Sequence, residues 1–268
     1  MATSDAPERR SWAVPLVVAV LACAVLTWWL RSAAGDDGRD DPAAVVQPPD
    51  LHLLAAATTQ AHLRHAPLDE ARRSVPTGLI VHPRHTVALW DAPSGTAFAK
   101  LTPDQLGDTW VPVVARRDGW VRVLLPSRPN GSTGWLQTSG LVRARSPYLV
   151  RVHLGSRSLE LSDDGAPAGT WPVAVGAAAT PTPTGRTFLL GQLTDPDQSY
   201  SPVIIPLGTH SQTLDTYGGG PGTVAIHGWT DPSVFGRAVS HGCVRVPADA
   251  LAVIRTLPLG TPVLIDNG

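Results

Sequence analysis

Short apolar runs separated by turn residues follow one another from about residue 77 to residue 145 and predict a series of β-strands. The clearest runs lie at residues 86–90, 110–115 and 120–125. Pro129-Asn130-Gly131 follows the last of them, and Asn-Gly suits the positive φ angles of a tight hairpin turn. The pattern predicts a small β module over residues 77–146.

A second β-rich unit is predicted over residues 147–268. Residues 148–154 and 158–161 alternate apolar and polar side chains, as expected of paired strands that each bury one face. Residues 247–257 predict a helix, because Pro247 suits its first position and apolar residues then recur every three positions. Further strands are predicted at residues 170–175, 187–190, 223–226 and 261–266. The fold class is therefore mostly β with few short helices.

An uncharged apolar run near the N-terminus predicts a transmembrane helix over residues 12–30. Its 19 residues, at ~1.5 Å each, span about 28 Å, close to the ~30 Å hydrocarbon core of a bilayer. Two arginines precede the run and Arg31 follows it, which favours a cytoplasmic tail over residues 1–11. A cleaved signal peptide and a lipoprotein signal at Cys23 are the alternatives. All three place the rest of the chain outside the cytoplasm, and the first makes it a single-pass protein of the cell membrane.

The segment between the apolar run and the first β module, residues 31–76, is rich in alanine, aspartate and proline. This composition is typical of a linker or stalk, and residues 36–49 are predicted to be flexible and partly extended. Residues 51–73 could hold a short helix, because Leu54, Ala61 and Leu68 recur at sevenfold spacing. A disordered stalk is the alternative for the same residues.

Composition limits the protein class without naming an activity. The chain has 268 residues, of which 43% are hydrophobic, enough for one large domain or two modest ones. Its net charge of −1 gives no basic excess that would indicate a nucleic-acid partner. The 25 glycines and 26 prolines imply many turns and few long helices, in agreement with the strand pattern.

The candidate chemistry lies between residues 227 and 243, which hold two histidines and the one cysteine beyond the apolar run. An unpaired thiol is at risk of oxidation outside the cytoplasm, so Cys243 is expected to serve chemistry. Cysteine attacks as the thiolate, and a neighbouring imidazole, His227 or His241, could accept its proton and later protonate a leaving amine. The neighbouring glycines allow close approach of a substrate and leave backbone N–H groups to stabilise an oxyanion.

Two other interpretations use the same residues. Cys243 could be a buried core residue, although the glycines and polar residues around it disfavour a core strand. His227, His241 and Cys243 could instead bind zinc with three ligands and an open position. The Ser-His-Gly-Cys spacing is unusual for zinc, and no fourth ligand candidate stands nearby in the sequence.

Three motifs resemble, in the same order, those of L,D-transpeptidase (YkuD-like) catalytic domains. They are Gly176 with Thr180-Pro181-Thr182-Pro183-Thr184-Gly185, His227-Gly228 with Ser240-His241-Gly242-Cys243-Val244-Arg245, and Pro258-Leu259-Gly260-Thr261-Pro262-Val263. The resemblance covers about 120 residues and implies a β-sandwich. It also implies acyl transfer that needs no cofactor or metal.

The resemblance implies a role for each residue of the second motif. Cys243 is the expected nucleophile, and His227 matches the histidine that accepts and donates the proton. His241 and Gly242 are expected to shape the pocket and, with the Cys243 amide, the oxyanion hole. Ser240 is expected to supply a supporting hydrogen bond. Spacing alone leaves open which of the two histidines is the base.

The same resemblance assigns a substrate-binding surface to Arg245, Tyr217 and Gly228. Arg245 is expected to engage a substrate carboxylate or to order the site, and a structural ion pair is the alternative. Many members of the family have a longer, distinctive lid where this chain has residues 191–222, and this departure leaves donor and acceptor preference open. The glycines after Tyr217 predict a mobile loop beside the site. Tyr217 could contact substrate or merely pack.

The module over residues 77–146 resembles bacterial SH3-like barrels. The resemblance rests on Gly119-Trp120-Val121-Arg122-Val123 and on Gly134-Trp135-Leu136, which correspond to two paired strands of such barrels. It implies binding of wall peptide or glycan. A spacer that holds the catalytic domain off the membrane is the alternative, in which Trp120 and Trp135 belong to the barrel core.

Together these resemblances imply an SH3-like barrel followed by an L,D-transpeptidase β-sandwich, behind an N-terminal transmembrane helix. The implied activity forms 3→3 cross-links between peptidoglycan stem peptides, and carbapenems are expected to acylate Cys243. An L,D-carboxypeptidase and a wall-anchoring transferase use the same chemistry with another acceptor. A non-catalytic wall-binding protein and a secreted cysteine peptidase are the remaining alternatives.

Overall fold

The computed structural model describes residues 48–268, so the predicted tail (1–11), membrane span (12–30) and first part of the linker lie outside it. Within residues 48–268, no helix is long and apolar enough to cross a bilayer. The described chain is mostly β, as the sequence predicts, with one short α-helix and two 3₁₀ turns among its strands.

The first unit is built on one seven-stranded sheet. Its strands are β1 (Leu79–Pro83), β2 (Val87–Trp90), β3 (Ala97–Leu101), β4 (Val111–Arg117), β5 (Trp120–Leu124), β6 (Thr133–Gln137) and β7 (Leu141–Arg145). They lie in the order β3-β2-β6-β5-β4-β1-β7. The turn signal at Pro129-Asn130-Gly131 lies in the β5–β6 connection, and these strands pair antiparallel. That the sheet is an SH3-like barrel stays a prediction.

The two tryptophans of the SH3-like motif lie in different environments. Trp135 is buried, with Arg117 against its ring, so it packs in the sheet rather than facing a ligand. Trp120 is half-buried and meets Trp90 edge-on, with ring centroids 5.9 Å apart. The core-packing alternative therefore describes Trp135, whereas Trp120 keeps part of its surface exposed.

Residues 48–76 form neither the short helix nor the disordered stalk considered from the sequence. They contain a single 3₁₀ turn, Leu51–Leu53, followed by irregular chain that lies along the sheet. Ala57, Leu63 and Ala66 are buried in the core of the first unit. We therefore describe residues 48–146 together as the N-terminal module.

The second unit is a β-sandwich with one helix. Its strands are β8 (Tyr148–His153), β9 (Ser158–Asp163), β10 (Ala166–Pro172), β11 (Val175–Gly176), β12 (Gly185–Phe188), β13 (Ile204–His210), β14 (Thr223–Gly228), β15 (Ala238–Ser240), β16 (Val244–Val246) and β17 (Pro262–Asp266). A five-stranded sheet, β10-β9-β8-β17-β12, and a three-stranded sheet, β13-β14-β16, enclose the core. The predicted helix is present as α1 (Ala248–Ile254), which buries Ala250, Leu251 and Ile254.

The predicted lid is only partly a loop. Strand β13 lies inside residues 191–222, pairs antiparallel with β14 and contributes Ile205 and Leu207 to the sandwich core. No strand was predicted from the sequence at the positions of β13, and the glycines that predict a loop follow it in the chain. Residues 211–222 form the actual loop, and we refer to them as the active-site loop. Its tip is a tight turn in which Tyr217 and Gly220 exchange backbone hydrogen bonds.

Strand β12 and the residues after it join the two units. Side chains alternate along an extended chain, so Phe188 and Leu190 enter the core of the N-terminal module while Leu189 enters the sandwich core. Arg186 points the same way as Phe188 and makes a buried, bidentate ion pair with Asp69, at 2.6 and 2.7 Å. The module and the sandwich therefore share one packed interface.

The Asp69→Asn variant is expected to destabilise the protein by about 3–5 kcal/mol, because it leaves the buried Arg186 guanidinium without its counter-charge. The matched control is Asp164→Asn, which removes the carboxylate from the Arg145–Asp164 pair on the surface. Both of those side chains are 61% exposed, so the control is expected to cost at most about 1 kcal/mol. Denaturant unfolding measures both, and equal losses would contradict a buried ion pair at Asp69.

Candidate active site

Two neighbouring parallel strands bring the predicted nucleophile and one histidine to the same face of the small sheet. Ile226 of β14 pairs with Val244 of β16, and both are fully buried in the sandwich core. His227 is next to Ile226, and Cys243 precedes Val244, so alternation turns both away from the core. Diagonal neighbours on adjacent strands lie about 7–8 Å apart, within reach of an aromatic side chain.

Cys243 is partly exposed as a residue and lies outside the buried core of the sandwich, so the core-cysteine interpretation is wrong. The backbone N–H of Ala225, on the neighbouring strand β14, acts to lower the pKa of this thiol. Burial raises the pKa of the thiol, and the Ala225 N–H and the Arg245 charge offset this only in part. The thiol is therefore protonated in the resting protein.

His227 is buried, and its ring orientation is fixed by its neighbour. Nδ1 lies 2.8 Å from the Gly228 carbonyl oxygen, so Nδ1–H donates and Nε2 keeps its lone pair. Burial lowers the pKa of His227 to about 4, the Gly228 carbonyl opposes this shift, and the Arg245 charge adds to it. The imidazole is therefore neutral near pH 7, and both pKa shifts favour a thiol and a neutral imidazole over a thiolate–imidazolium pair.

The turn that carries Cys243 is held by Ser240 at the end of β15. Ser240 Oγ donates to the Cys243 carbonyl and accepts the Gly242 N–H at 3.1 Å. Gly242 has a φ of +115°, which glycine adopts without strain. Ser240 thus makes the supporting hydrogen bonds expected of it. The Gly242 N–H, assigned to the oxyanion hole from the sequence, is directed at Ser240 instead.

The Thr-Pro-Thr-Pro segment braces the same turn from the other side. Thr182 Oγ1 donates to the Gly242 carbonyl at 2.8 Å and accepts the Gly176 N–H at 2.9 Å. Thr180 Oγ1 donates to the Ser240 carbonyl at 3.0 Å. A Cβ at Gly176 would lie 2.3 Å from the Thr180 carbonyl oxygen, so only glycine fits there. Two of the three sequence motifs therefore meet at the nucleophile.

His241 and Tyr217 form an exposed rim. The Tyr217 hydroxyl lies 3.3 Å from His241 Nδ1, and the ring centroids are 5.3 Å apart. Tyr217 is 51% exposed, so it packs little against the rest of the protein. The tip of the active-site loop therefore meets the Ser-His-Gly-Cys turn through this one side chain.

Arg245 stacks on an aromatic ring that sequence reasoning missed. Its guanidinium carbon lies 3.5 Å from the centroid of the Trp229 ring, which is a cation–π contact. Arg245 therefore does not form the ion pair with a carboxylate that was the alternative. The Arg245 charge acts to lower the pKa of the Cys243 thiol and that of the Tyr200 hydroxyl. The site therefore carries a positive charge next to the thiol, suited to an anionic substrate group.

Tyr200 is the second residue that sequence reasoning missed. Its ring meets His227 edge-on at 5.0 Å between centroids and lies 5.3 Å from Trp229. Burial raises the pKa of its hydroxyl, and the nearby Cys243 raises it further. Trp229 directly follows His227-Gly228 and could have been found from that position. Tyr200 lies in another loop with no local signal.

Gly228 holds neighbouring parts of the site together through its backbone. Its N–H donates to Ser201 Oγ at 2.8 Å, and its carbonyl accepts from His227. A Cβ there would lie 3.2 Å from both Leu251 Cδ2 and Ser201 Oγ. Both backbone groups of Gly228 thus already bind neighbours within the protein, and the substrate-binding role assigned to it from the sequence stays a prediction.

The described part of the chain contains no cluster of side chains that would support the zinc alternative. Across residues 48–268, no three or more histidine, cysteine, aspartate or glutamate side chains are grouped so as to hold a metal ion. His227 and His241 instead use their Nδ1 atoms on the Gly228 carbonyl and the Tyr217 hydroxyl.

Comparison with known proteins agrees with this geometry. Residues 147–265 match the family model of the L,D-transpeptidase catalytic domain, YkuD. The YkuD protein of Bacillus subtilis (strain 168) is 32% identical over 122 residues, which are 45% of this chain and 67% of that protein. The chain therefore belongs to the YkuD family of L,D-transpeptidase catalytic domains.

Solved structures of similar proteins include two from mycobacteria. An L,D-transpeptidase from Mycobacterium smegmatis is 16% identical, with a TM-score of 0.37, covering 55% of this chain and 90% of that chain. L,D-transpeptidase 3 from Mycobacterium tuberculosis, solved with a faropenem-derived adduct, is 15% identical, with a TM-score of 0.37, covering 52% of this chain and 75% of that chain.

Proposed function

We propose that this protein is a peptidoglycan L,D-transpeptidase that forms 3→3 cross-links by acyl transfer through Cys243. The observation that supports the proposal is the parallel pairing of β14 with β16, which turns Cys243 and His227 to one face. Family membership supports the same reaction class. The exposed rim of Tyr217 and His241 leaves this face accessible to a large, polymeric substrate.

In the first half-reaction, Cys243 Sγ attacks the carbonyl carbon between the third residue of a stem tetrapeptide and its terminal D-alanine. Nε2 of His227 accepts the thiol proton as the C–S bond forms, because neither group is ionised at rest. The same Nε2–H then protonates the departing amine. D-Alanine leaves, and the rest of the donor stem remains as a thioester on Cys243.

In the second half-reaction, the side-chain amine of a neighbouring stem attacks the thioester carbonyl. His227 accepts the amine proton and returns it to the sulfur as the C–S bond breaks, which restores the resting enzyme. The fixed Nδ1–H bond to Gly228 keeps Nε2 in the same orientation through both halves. Arg245 is proposed to attract a carboxylate of the stem, and Tyr217 to contact the stem at the rim.

The test is incubation of the purified protein with a disaccharide tetrapeptide, followed by mass analysis, with and without a thiol-blocking reagent. The proposal expects released D-alanine and a cross-linked dimer, both lost after blocking. Tripeptide without dimer would identify an L,D-carboxypeptidase instead. Wall binding with no thiol-dependent turnover would identify a binding protein, and digestion of casein would identify a peptidase.

The proposed substrate lies outside the cytoplasm, and so must the catalytic unit. We propose that residues 12–30 anchor the chain in the cell membrane and that the described residues face the wall. Cell fractionation tests this placement. Protein with an intact N-terminus in the soluble fraction would contradict the anchor and leave the cross-linking assay unaffected.

A further inference from the structure

The β5–β6 connection of the N-terminal module contacts the base of the active-site loop. The loop closes on itself through one backbone hydrogen bond, from the Ser211 N–H to the Gly222 carbonyl at 2.8 Å. The Arg128 side chain reaches into this closure from the module. Two residues of the sandwich and one residue of the module therefore meet where the loop begins and ends.

Arg128 donates hydrogen bonds to three carbonyl groups of the active-site loop. Nη1 lies 3.0 Å from the Ser211 oxygen, and Nη2 lies 3.0 Å from the Pro221 oxygen and 3.3 Å from the Leu214 oxygen. The planar, fork-shaped guanidinium can bind carbonyls on both arms of the loop at once, which a lysine ammonium does less well. Arg128 therefore fixes the separation of the two arms.

The loop backbone is folded closely around this guanidinium. Gly222 has a φ of +67°, and a Cβ there would lie 2.2 Å from the Leu214 carbonyl oxygen and 3.2 Å from Arg128 Nη2. Only glycine therefore suits this position.

Asn130 holds the start of the loop in the same way. Its Nδ2 donates to the His210 carbonyl at 2.7 Å, and its Oδ1 accepts the His210 N–H at 2.8 Å. His210 Nε2 also lies 2.9 Å from the Thr59 carbonyl oxygen of the module. The last residue of β13 is thus bound on both sides by the N-terminal module.

The backbone of Arg128 is itself held by residues of the segment that was predicted to be a linker or stalk. Its N–H donates to the Ala61 carbonyl at 2.9 Å, and its carbonyl accepts the Leu63 N–H at 2.8 Å. Leu63 is buried in the module core. The guanidinium is therefore held by a rigid part of the fold.

The far end of the loop has little support of its own. Gly218 and Gly219 both have positive φ angles, and Tyr217 is half exposed, touching the site through His241. A glycine-rich turn with so few packed side chains depends on its base for its position. The contacts that hold the base of the active-site loop therefore also determine the position of Tyr217 relative to His241 and Arg245.

We propose that Arg128 of the N-terminal module is a positioning residue for donor-stem binding, acting through the active-site loop and Tyr217. The proposal rests on the proposed function for its substrate, but the loop contact stands independently of it. The module is then part of the acyl-transfer site, and neither a spacer nor a separate wall-binding domain alone.

The test compares Arg128→Gln with Arg122→Gln. Arg122 is a matched control, because its guanidinium also binds neutral oxygens, Thr133 Oγ1 and the Leu68 carbonyl, each at 2.7 Å, but entirely within the module. Arg128→Gln is expected to raise KM for the tetrapeptide donor about tenfold and to change kcat less than about threefold. Arg122→Gln is expected to change either constant less than about twofold.

A double-mutant cycle separates positioning from general loss of structure. In a Tyr217→Ala background, Arg128→Gln is expected to change KM less than about twofold, since the side chain that it positions is gone. The rate of Cys243 alkylation by iodoacetamide is expected to stay within about twofold of the wild type, because the pairing of β14 with β16 at residues 226–228 involves no residue of the loop. Full additivity in the cycle would overturn the proposal.

A third test, limited proteolysis, does not depend on turnover of the tetrapeptide. Chymotrypsin cleaves after exposed tyrosine, and cleavage after Tyr217 is expected to be about tenfold faster in Arg128→Gln than in the wild type and unchanged in Arg122→Gln. Equal cleavage in all three proteins would overturn the proposal. Faster cleavage in Arg128→Gln, with a wild type that turns over no stem peptide, would sink the proposed function and leave the loop contact standing.

Discussion

The Cys243→Ser variant is expected to turn over tetrapeptide at least about 10⁴-fold more slowly than the wild type. The hydroxyl keeps the size of the thiol, but its proton is far harder to remove, and His227 has only a weakly basic Nε2 to remove it with. Mass analysis of dimer and released D-alanine measures the loss, and an unfolding midpoint close to that of the wild type is the control. Turnover within tenfold of the wild type would exclude Cys243 as the nucleophile.

Carbapenem labelling gives the same variant a second readout. A carbapenem is expected to add one acyl group per wild-type chain, detected by intact mass, and none to Cys243→Ser. The adduct is expected on the peptide that contains Cys243. A label on Cys23, the other cysteine of the chain, would contradict acylation at the proposed site.

The His227→Asn variant is expected to lower kcat for cross-linking by about 10³-fold. Asparagine keeps an N–H near the position of Nδ1, so the bond to the Gly228 carbonyl survives while the basic Nε2 is lost. His241→Asn is the matched control, because it keeps an amide near the Tyr217 hydroxyl, and it is expected to cost less than about tenfold. A larger loss in His241→Asn would assign the base to His241.

The pH dependence of thiol alkylation tests the neutral resting pair that underlies this prediction. The pKa of Cys243 is raised, so the thiolate fraction, and with it alkylation by iodoacetamide, is expected to rise about tenfold per pH unit between pH 6 and 8. A plateau over this range would show an ion pair instead.

The lowered pKa of His227 also couples stability to pH. In the folded protein His227 binds its proton only near pH 4, whereas the unfolded chain binds it near 6.5. The unfolding free energy is therefore expected to fall as the pH drops from about 6.5 to 4. His210 is buried with a pKa of about 4 and adds a change of the same sign.

The sequence predicted the parts of the site that are local in the chain. Ser240 and Cys243 lie in one turn, and the apolar residues of α1 recur regularly, so short-range patterns sufficed. The pairing of β14 with β16 was not predicted, because a strand was predicted at residues 223–226 but none at Val244–Val246. Tyr200 had no pattern to reveal it, because it reaches His227 only through the tertiary fold.

The misses share a physical cause. Strand β13 lies in the region assigned to the lid, where no strand was predicted, and it becomes a strand by pairing with β14. Ala57, Leu63 and Ala66 are isolated apolar residues in a polar stretch, and only contact with the sheet gives them a core. Arg128 lies in a hairpin connection and binds residues 83 to 93 positions later in the chain, so no local rule could assign its role.

The Asp69–Arg186 pair also limits how domains of this protein could be exchanged. Arg186 belongs to the stretch that matches the family model, and its carboxylate partner, Asp69, belongs to the chain before it. In a chimera that joins residues 147–268 to a different N-terminal domain, the Arg186 guanidinium would lie at the domain interface without a carboxylate partner. Such a chimera would need either a new acidic residue at that interface or an apolar residue in place of Arg186.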